Sequence, residues 1–267
     1  MSFTLTRQGH AALLEFDHGK ANEMGSEQLH SFEALLSQLG EARALISFSR
    51  RLSKRGTPIF ISGANVTERT GWSRDQVAGH VRWQRATMAR VRQLPLFHVA
   101  VVNGVALGWG TEYLICCDYR IATEDASFGL PETGLGILPG AGGTSELASL
   151  IGIPQAMRLG MTGERISAAE ALRIGLVQEL VPDVDAGLER ALELAAAVAK
   201  KSPTAIAAFK AGLLASAGLD PLARREVEAQ AYEHCLDSGQ AAIGRENFSA
   251  IRAGQEVPWG PRVPWER

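Results

Sequence analysis

The segment from His98 to Glu112 restricts the fold more than any other. His98 to Val102 is a short, valine-rich apolar run, suited to a strand covered on both faces rather than one with a wet side. It is followed at once by Asn103-Gly104 and then by Gly108 to Glu112, so a buried strand delivers the chain to a glycine-rich corner. A strand of that kind needs cover above and below, which points to alternating strands and helices. The flanking sequence agrees. Phe3 to Thr6 and Ala11 to Phe16 read as a hairpin around Gln8-Gly9-His10, and Ser26 is placed to cap a helix carrying Leu29, Phe32, Leu35, Leu36 and Leu39 on one face. Arg43 to Phe48 is a strand, Ser49 to Thr57 a polar basic loop, and Pro58 to Ile61 a short apolar run. A polar helical region follows at roughly 73 to 93.

Beyond the corner, Glu112 to Cys117 reads as helix, Tyr119 to Thr123 as extended chain, and Thr144 to Leu150 as helix. Ser167 and Glu170 form a capping-box pattern, and Gly175 stops that helix. From about Ala186 to Ile251 only helical segments are expected, punctuated by Pro203 and Gly218, with an irregular tail from Pro258 to Arg267. The change of character suggests a core over residues 1–198 and an all-helical region over 199–267.

Several function classes lose weight on composition and motif. The formal net charge of -2 gives no reason to expect nucleic acid or an anionic membrane as the main partner. No window approaches the roughly 18 apolar residues of a membrane span, and the N-terminus lacks a basic leader followed by an apolar stretch, so a cytoplasmic location is the expectation. The three cysteines, Cys116, Cys117 and Cys235, fit neither a disulfide framework nor a paired metal-ligand spacing and read as reduced, buried thiols. The six histidines are scattered, and no metal is assigned. The patterns G-x-S-x-G, H-E-x-x-H and G-x-x-x-x-G-K-[ST] do not occur.

Four segments remain in order: Ser62-Gly63-Ala64-Asn65, then Asn103 through Glu112, then Phe128-Gly129-Leu130-Pro131-Glu132, then Pro139-Gly140-Ala141-Gly142-Gly143-Thr144. Together they resemble the crotonase, or enoyl-CoA hydratase/isomerase, superfamily, most densely from about 98 to 147. The resemblance implies an α/β fold with a ββα spiral core and a helical C-terminal region that packs trimers, commonly paired into hexamers. It implies no cofactor, with an acyl-CoA or related pantetheine thioester as substrate.

The implied chemistry explains the residue types. Addition of water to an enoyl thioester drives electrons onto the carbonyl oxygen, and backbone N–H groups hold that enolate without reorganisation. Resemblance places these donors on Ala64 and Trp109, with Gly63 and Gly108 allowing close approach. Glu112 is then the carboxylate that activates water and Glu132 the one that exchanges a proton at the α-carbon, with the Gly140 N–H helping to hold the water. Lys20 and Ala21 fall where the family meets the adenosine phosphates, and Ser62, Asn65, Val66 and Pro131 flank the two loops. The basic loop of Arg50, Arg51, Lys54 and Arg55 is either solvated or meets the 3'-phosphate, a carrier protein or RNA.

Two positions depart from the family pattern. Trp109 stands where glycine is usual, and its indole either narrows the acyl pocket or turns into the core. Asn65 stands where aspartate is typical, which alters local hydrogen bonding. Both glutamates favour water chemistry. Isomerisation, thioester hydrolysis and retro-aldol cleavage on the same scaffold are the alternatives, followed by a catalytically silent thioester-binding or RNA-binding protein.

Overall fold

The computed structural model describes residues 3–265. Met1 and Ser2, and the last two residues of the expected irregular tail, Glu266 and Arg267, lie outside the described residues.

In chain order the elements are β1 Phe3–Gln8, β2 Ala11–Phe16, α1 Ser26–Gln38, β3 Ala44–Ser49, β4 Ile59–Ile61 and α2 Arg74–Arg92. They continue with β5 Phe97–Val102, β6 Val105–Leu107, α3 Trp109–Ile115, β7 Tyr119–Thr123, β8 Ser127–Gly129 and α4 Leu147–Thr162. β9 Ile166–Ser167, α5 Ala168–Arg173, β10 Glu179–Val181 and α6 Val184–Ala199 follow. The chain ends in α7 Pro203–Ala215, α8 Pro221–Asp237, α9 Gln240–Glu246 and α10 Phe248–Arg252. Two short 3₁₀ helices, Val66–Arg69 and Pro131–Leu135, sit in the connections.

The strands form two sheets. One has the order β1-β2-β3-β5-β7-β10 and is parallel except for the β1/β2 hairpin; the other has the order β4-β6-β8-β9. β3 and β5 lie at the centre of the larger sheet and are buried on both faces, which is why they read as near-continuous apolar runs. Period-two alternation then divides their side chains. Ala44, Ile46, Phe48, Val99 and Val101 pack outward against Leu188, Ala191 and Ala195 of α6. Leu45, Ala100 and Val102 face inward to the main core, with Phe16, Phe32, Phe60 and Tyr113.

The hairpin, the central strands and the C-terminal helices match the sequence expectation, and the mixed α/β core with its helical C-terminal region is the crotonase-like architecture. Several details differ. Gly25, not Ser26, is the N-cap of α1: the Gly25 N–H donates to Gln28 Oε1, while the Ser26 N–H donates to Glu68. α4 begins three residues later than expected and runs to Thr162 through a break at Gly152 (φ 77°, ψ 156°), ahead of Pro154. β6, β8, β9 and β10 were not anticipated, because runs of two or three residues show no periodicity. Cys116 and Cys117 are buried, whereas Cys235 is half-exposed. The expected boundary at 198/199 falls at the end of α6, and α7 beyond it is tied back to the core by Lys210, whose Nζ lies 2.8 Å from Asp118 Oδ2.

Candidate active site

The smaller sheet and α3 build the floor of the site. β6 ends at Leu107, and Gly108 turns the chain at φ 52° into the first residue of α3. That backbone conformation (φ 52°, ψ -120°) strains any side-chain-bearing residue and suits glycine, and a Cβ would also press on the carboxyl of Glu132, 2.7 Å from Oε1. Gly110 brings α3 against β4, where a Cβ would lie 2.2 Å from the Ile61 carbonyl oxygen. β4 carries the chain to Ser62 and Gly63, and Ala64 is clamped from both sides: Met24 N–H donates to Gly63 O at 2.9 Å and Asn65 N–H to Met24 O at 2.7 Å. The Ala64 N–H donates to no backbone group among the described residues, and neither does the Trp109 N–H, an orphan donor by virtue of opening a helix.

Glu112 lies one turn into α3 and is only 2% exposed. Its Oε1 accepts hydrogen bonds from the Ala141 N–H (2.7 Å) and the Gly143 N–H (2.9 Å). The loop comes this close because residue 143 is glycine; a Cβ there would lie 2.5 Å from Pro139 Cβ and 3.1 Å from the same oxygen. Burial pushes the Glu112 carboxyl up to about 7, against the pull of the Gly143 and Ala141 N–H groups and the Arg85 charge, with Glu132 adding to the rise. Glu132 rides on the 3₁₀ helix opened by Pro131 and is half-buried; its Oε2 is buried with no hydrogen-bond partner among the described residues. Burial raises its carboxyl as well.

Ala64, Trp109, Glu112, Glu132 and Gly140 all line one pocket of about 630 Å³. The Trp109 indole is 1% exposed and belongs to the main core, its Nε1 buried without a partner among the described residues. It therefore packs inward, while the residue still borders the pocket. Gly63 and Gly108 back the two N–H donors and approach each other, a Cβ on Gly108 falling 3.9 Å from Gly63 Cα. Ala141 and Gly143 N–H fix Glu112 and the Gly140 carbonyl accepts from Arg85 Nε at 3.0 Å, while Gly140, the expected water holder, lines the same pocket.

The remaining expected residues are not among those that line this pocket. Ala21 O accepts from Ser62 N–H at 3.2 Å, joining the Lys20–Ala21 loop to the Ala64 ledge, and Lys20 is exposed. Asn65 Oδ1 caps the 3₁₀ helix Val66–Arg69 by accepting from Glu68 N–H and the Thr67 hydroxyl, and Val66 is exposed. In the basic loop Arg50 pairs with Asp185, and Arg51 pairs with Asp17 and donates to the Gly19 carbonyl. Two of its four cations are thus neutralised within the protein, while Lys54 and Arg55 are exposed.

The outer wall was not legible in the sequence. α2 reads as a polar surface helix, yet Val77, Val81, Gln84 and Arg85 turn toward the pocket, joined by Arg69 from the 3₁₀ helix. The spacing 77, 81, 84 marks a helix face. Its mixed polarity concealed it.

With this geometry in view, comparison places the chain firmly. Residues 52–254 match the family model for enoyl-CoA hydratase/isomerase. A putative enoyl-CoA hydratase/isomerase of Bacillus subtilis is 35% identical over 254 residues, covering 94% of this chain and 95% of that protein. A short-chain-enoyl-CoA hydratase of Clostridium acetobutylicum is 30% identical, covering 88% and 89%. The crystal structure of an enoyl-CoA hydratase from Bacillus anthracis superposes with a TM-score of 0.86 at 34% identity, over 96% of this chain and 98% of that one. The chain belongs to the enoyl-CoA hydratase/isomerase family, within the crotonase superfamily. Among the described residues no helix is long and apolar enough to cross a membrane.

Proposed function

We propose that the protein is an enoyl-CoA hydratase-type lyase that adds water across the double bond of an enoyl thioester, or removes it in reverse, through an enolate. The observation that carries this reading is the convergence of a buried carboxyl, Glu112, and a half-buried one, Glu132, on the pocket bordered by the uncommitted N–H groups of Ala64 and Trp109.

The thioester oxygen binds between those two N–H groups. Each donor of this kind contributes about 2.7 to 4 kcal/mol to lowering the barrier, so the pair is a major term. Glu112 takes a proton from water as the oxygen attacks the β-carbon. The double-bond electrons move onto the thioester oxygen, and the enolate then collapses as Glu132 gives its proton to the α-carbon. One proton shared by the pair is the required starting state. The hydrogen-bond pattern supports charge on Glu112, which accepts two N–H bonds, and the proton on Glu132, whose Oε2 has no donor among the described residues. The net transfer from Glu132 to Glu112 is reset by exchange with solvent.

The C-terminal helices are the proposed self-association surface. Phe209, Leu213, Leu222, Tyr232 and Phe248 are each at least 60% exposed in the single chain, more large apolar surface than an isolated soluble protein usually shows. A trimer, or a hexamer of paired trimers, is the expected assembly, located in the cytoplasm.

A panel of enoyl-CoAs tests the activity, following loss of conjugated-thioester absorbance with product analysis. The 3-hydroxyacyl thioester is the expected product. A shifted double bond or free acid as the main product overturns the hydratase reading in favour of another reaction on this scaffold.

A further inference from the structure

The pocket that holds Glu112 and Glu132 also holds three arginines, Arg69, Arg82 and Arg85, in a wall shared with Gln84 and the apolar Val77, Val81, Ile137 and Leu138. A purely aliphatic acyl chain has no use for them. Arg69 stands out because its Nε is buried without a hydrogen-bond partner; the side chain as a whole is half-buried, and it forms no ion pair within 4.0 Å among the described residues, the Glu68 charge acting on it from farther off. Its neighbour Glu68 is already engaged, accepting from the Ser26 N–H at 3.2 Å and lying 3.5 Å from His80 Nε2. A guanidinium stays charged, and a buried N–H donor without an acceptor is costly unless a ligand supplies one.

Arg69 is held in a defined place. It ends the 3₁₀ helix Val66–Arg69, which Asn65 caps directly after the Ala64 ledge, so the cation lies five residues from one proposed enolate donor. Arg82 and Arg85 come from the facing helix α2, three residues apart and therefore on one side of it. Arg85 is partly committed through Nε to the Gly140 carbonyl. The two glutamates would repel an anionic ligand, and the arginines that share the pocket offset that repulsion.

Resting on the hydratase reading above, we propose that the acyl group of the natural substrate ends in a carboxylate, which Arg69 receives with Arg82 at the pocket mouth. The substrate class is then an enoyl thioester of a dicarboxylic acid rather than a plain fatty enoyl thioester. A planar, bidentate acceptor matches the guanidinium fork, and Asn65 has a role as the cap that sets its position.

The test uses saturated, non-reacting thioesters of pantetheine, which lack the phosphates of CoA that arginines would otherwise recognise. Binding of glutaryl-pantetheine and pentanoyl-pantetheine is measured by calorimetry on the wild-type protein, Arg69→Met and Arg69→Lys. The acidic thioester is expected to bind wild type about 10- to 100-fold more tightly than the methyl-ended one, the range of a charge-assisted hydrogen bond. Arg69→Met should collapse that ratio and Arg69→Lys restore part of it. Equal binding of the two by wild type overturns the proposal, and needs no variant. A loss of affinity for both thioesters by the same factor in Arg69→Met overturns it too. Hydration of neutral enoyl-CoAs with no acidic preference sinks this inference alone. A preserved acidic preference with no hydration of any enoyl thioester sinks the hydratase reading and leaves the anion site standing.

Discussion

At its C-terminal end, α3 runs into Arg120, whose guanidinium donates to the carbonyls of Leu114, Cys117 and Leu176 at 3.1, 2.8 and 2.7 Å. Beside it Ser47 Oγ lies 2.7 Å from Tyr113 OH and 2.8 Å from His98 Nε2, a closed triangle in which burial holds the His98 imidazole down at about 3 and so neutral. At its N-terminal end the same helix offers the Trp109 N–H to open space and carries Glu112, a buried carboxylate with a neighbouring acid. Both ends are polar and withdrawn from water. One spends its hydrogen-bonding capacity on itself, His98 Nδ1 excepted, and the other keeps it available. A buried polar group that is satisfied stabilises the fold, whereas one left open or charged costs stability and is the mark of a site.

The contrast makes opposite forecasts for substitutions a few residues apart. Glu112→Gln and Glu132→Gln should each lower kcat by about 10²- to 10⁴-fold, the usual share of a positioned acid or base, and the double variant should lose far less than the product of the two. Activity of either variant near the wild-type level, measured by loss of enoyl-thioester absorbance, would break the comparison at its functional end.

Stability should respond the other way. The folded-state carboxyl of Glu112 sits at about 7, above its ordinary value of 4.5, so its ionised form is disfavoured by folding. Whatever stability it contributes is present below the unfolded pKa and is lost as pH rises through about 7. Glu112→Gln keeps an acceptor for the Ala141 and Gly143 N–H groups and removes the charge. It should therefore be more stable than wild type by roughly 1 to 3 kcal/mol at pH 8, with no gain at pH 4, in denaturant titrations. A wild-type protein more stable than the variant at pH 8 would show that the carboxylate is not held against a desolvation cost.

The smallest effect belongs to the closed end. Tyr113→Phe leaves Ser47 and His98 one partner short and should cost about 1 to 2 kcal/mol of stability, with kcat/KM close to the wild-type value. A large fall in kcat/KM without loss of stability would mean that the triangle tunes the site through α3.

Much of this was readable before any coordinates. β1, β2 and β5 announce themselves through length and alternation, and the glycine corner before Glu112 is visible because a buried strand cannot turn so sharply without it. Glu112 and Glu132 are singled out by the resemblance of their two segments to the enoyl-CoA hydratase/isomerase family. The Ala141 and Gly143 donors were missed because a main-chain N–H carries no residue signature. Arg69 and the inner face of α2 were missed because a helix that borders a water-filled pocket has the same mixed polarity as one that borders bulk solvent.

By itself the sequence determined the longer strands and helices, the family, and the candidate pair of acids, since periodicity, turn chemistry and motif spacing are properties of neighbouring residues. The tertiary structure alone decided that the Trp109 indole packs inward, that Glu112 is gripped by a loop some thirty residues away, and that arginines from two separate segments face the same pocket. Those are outcomes of packing between distant parts of the chain, where burial and the loss of water set both the direction a side chain takes and the charge it can hold.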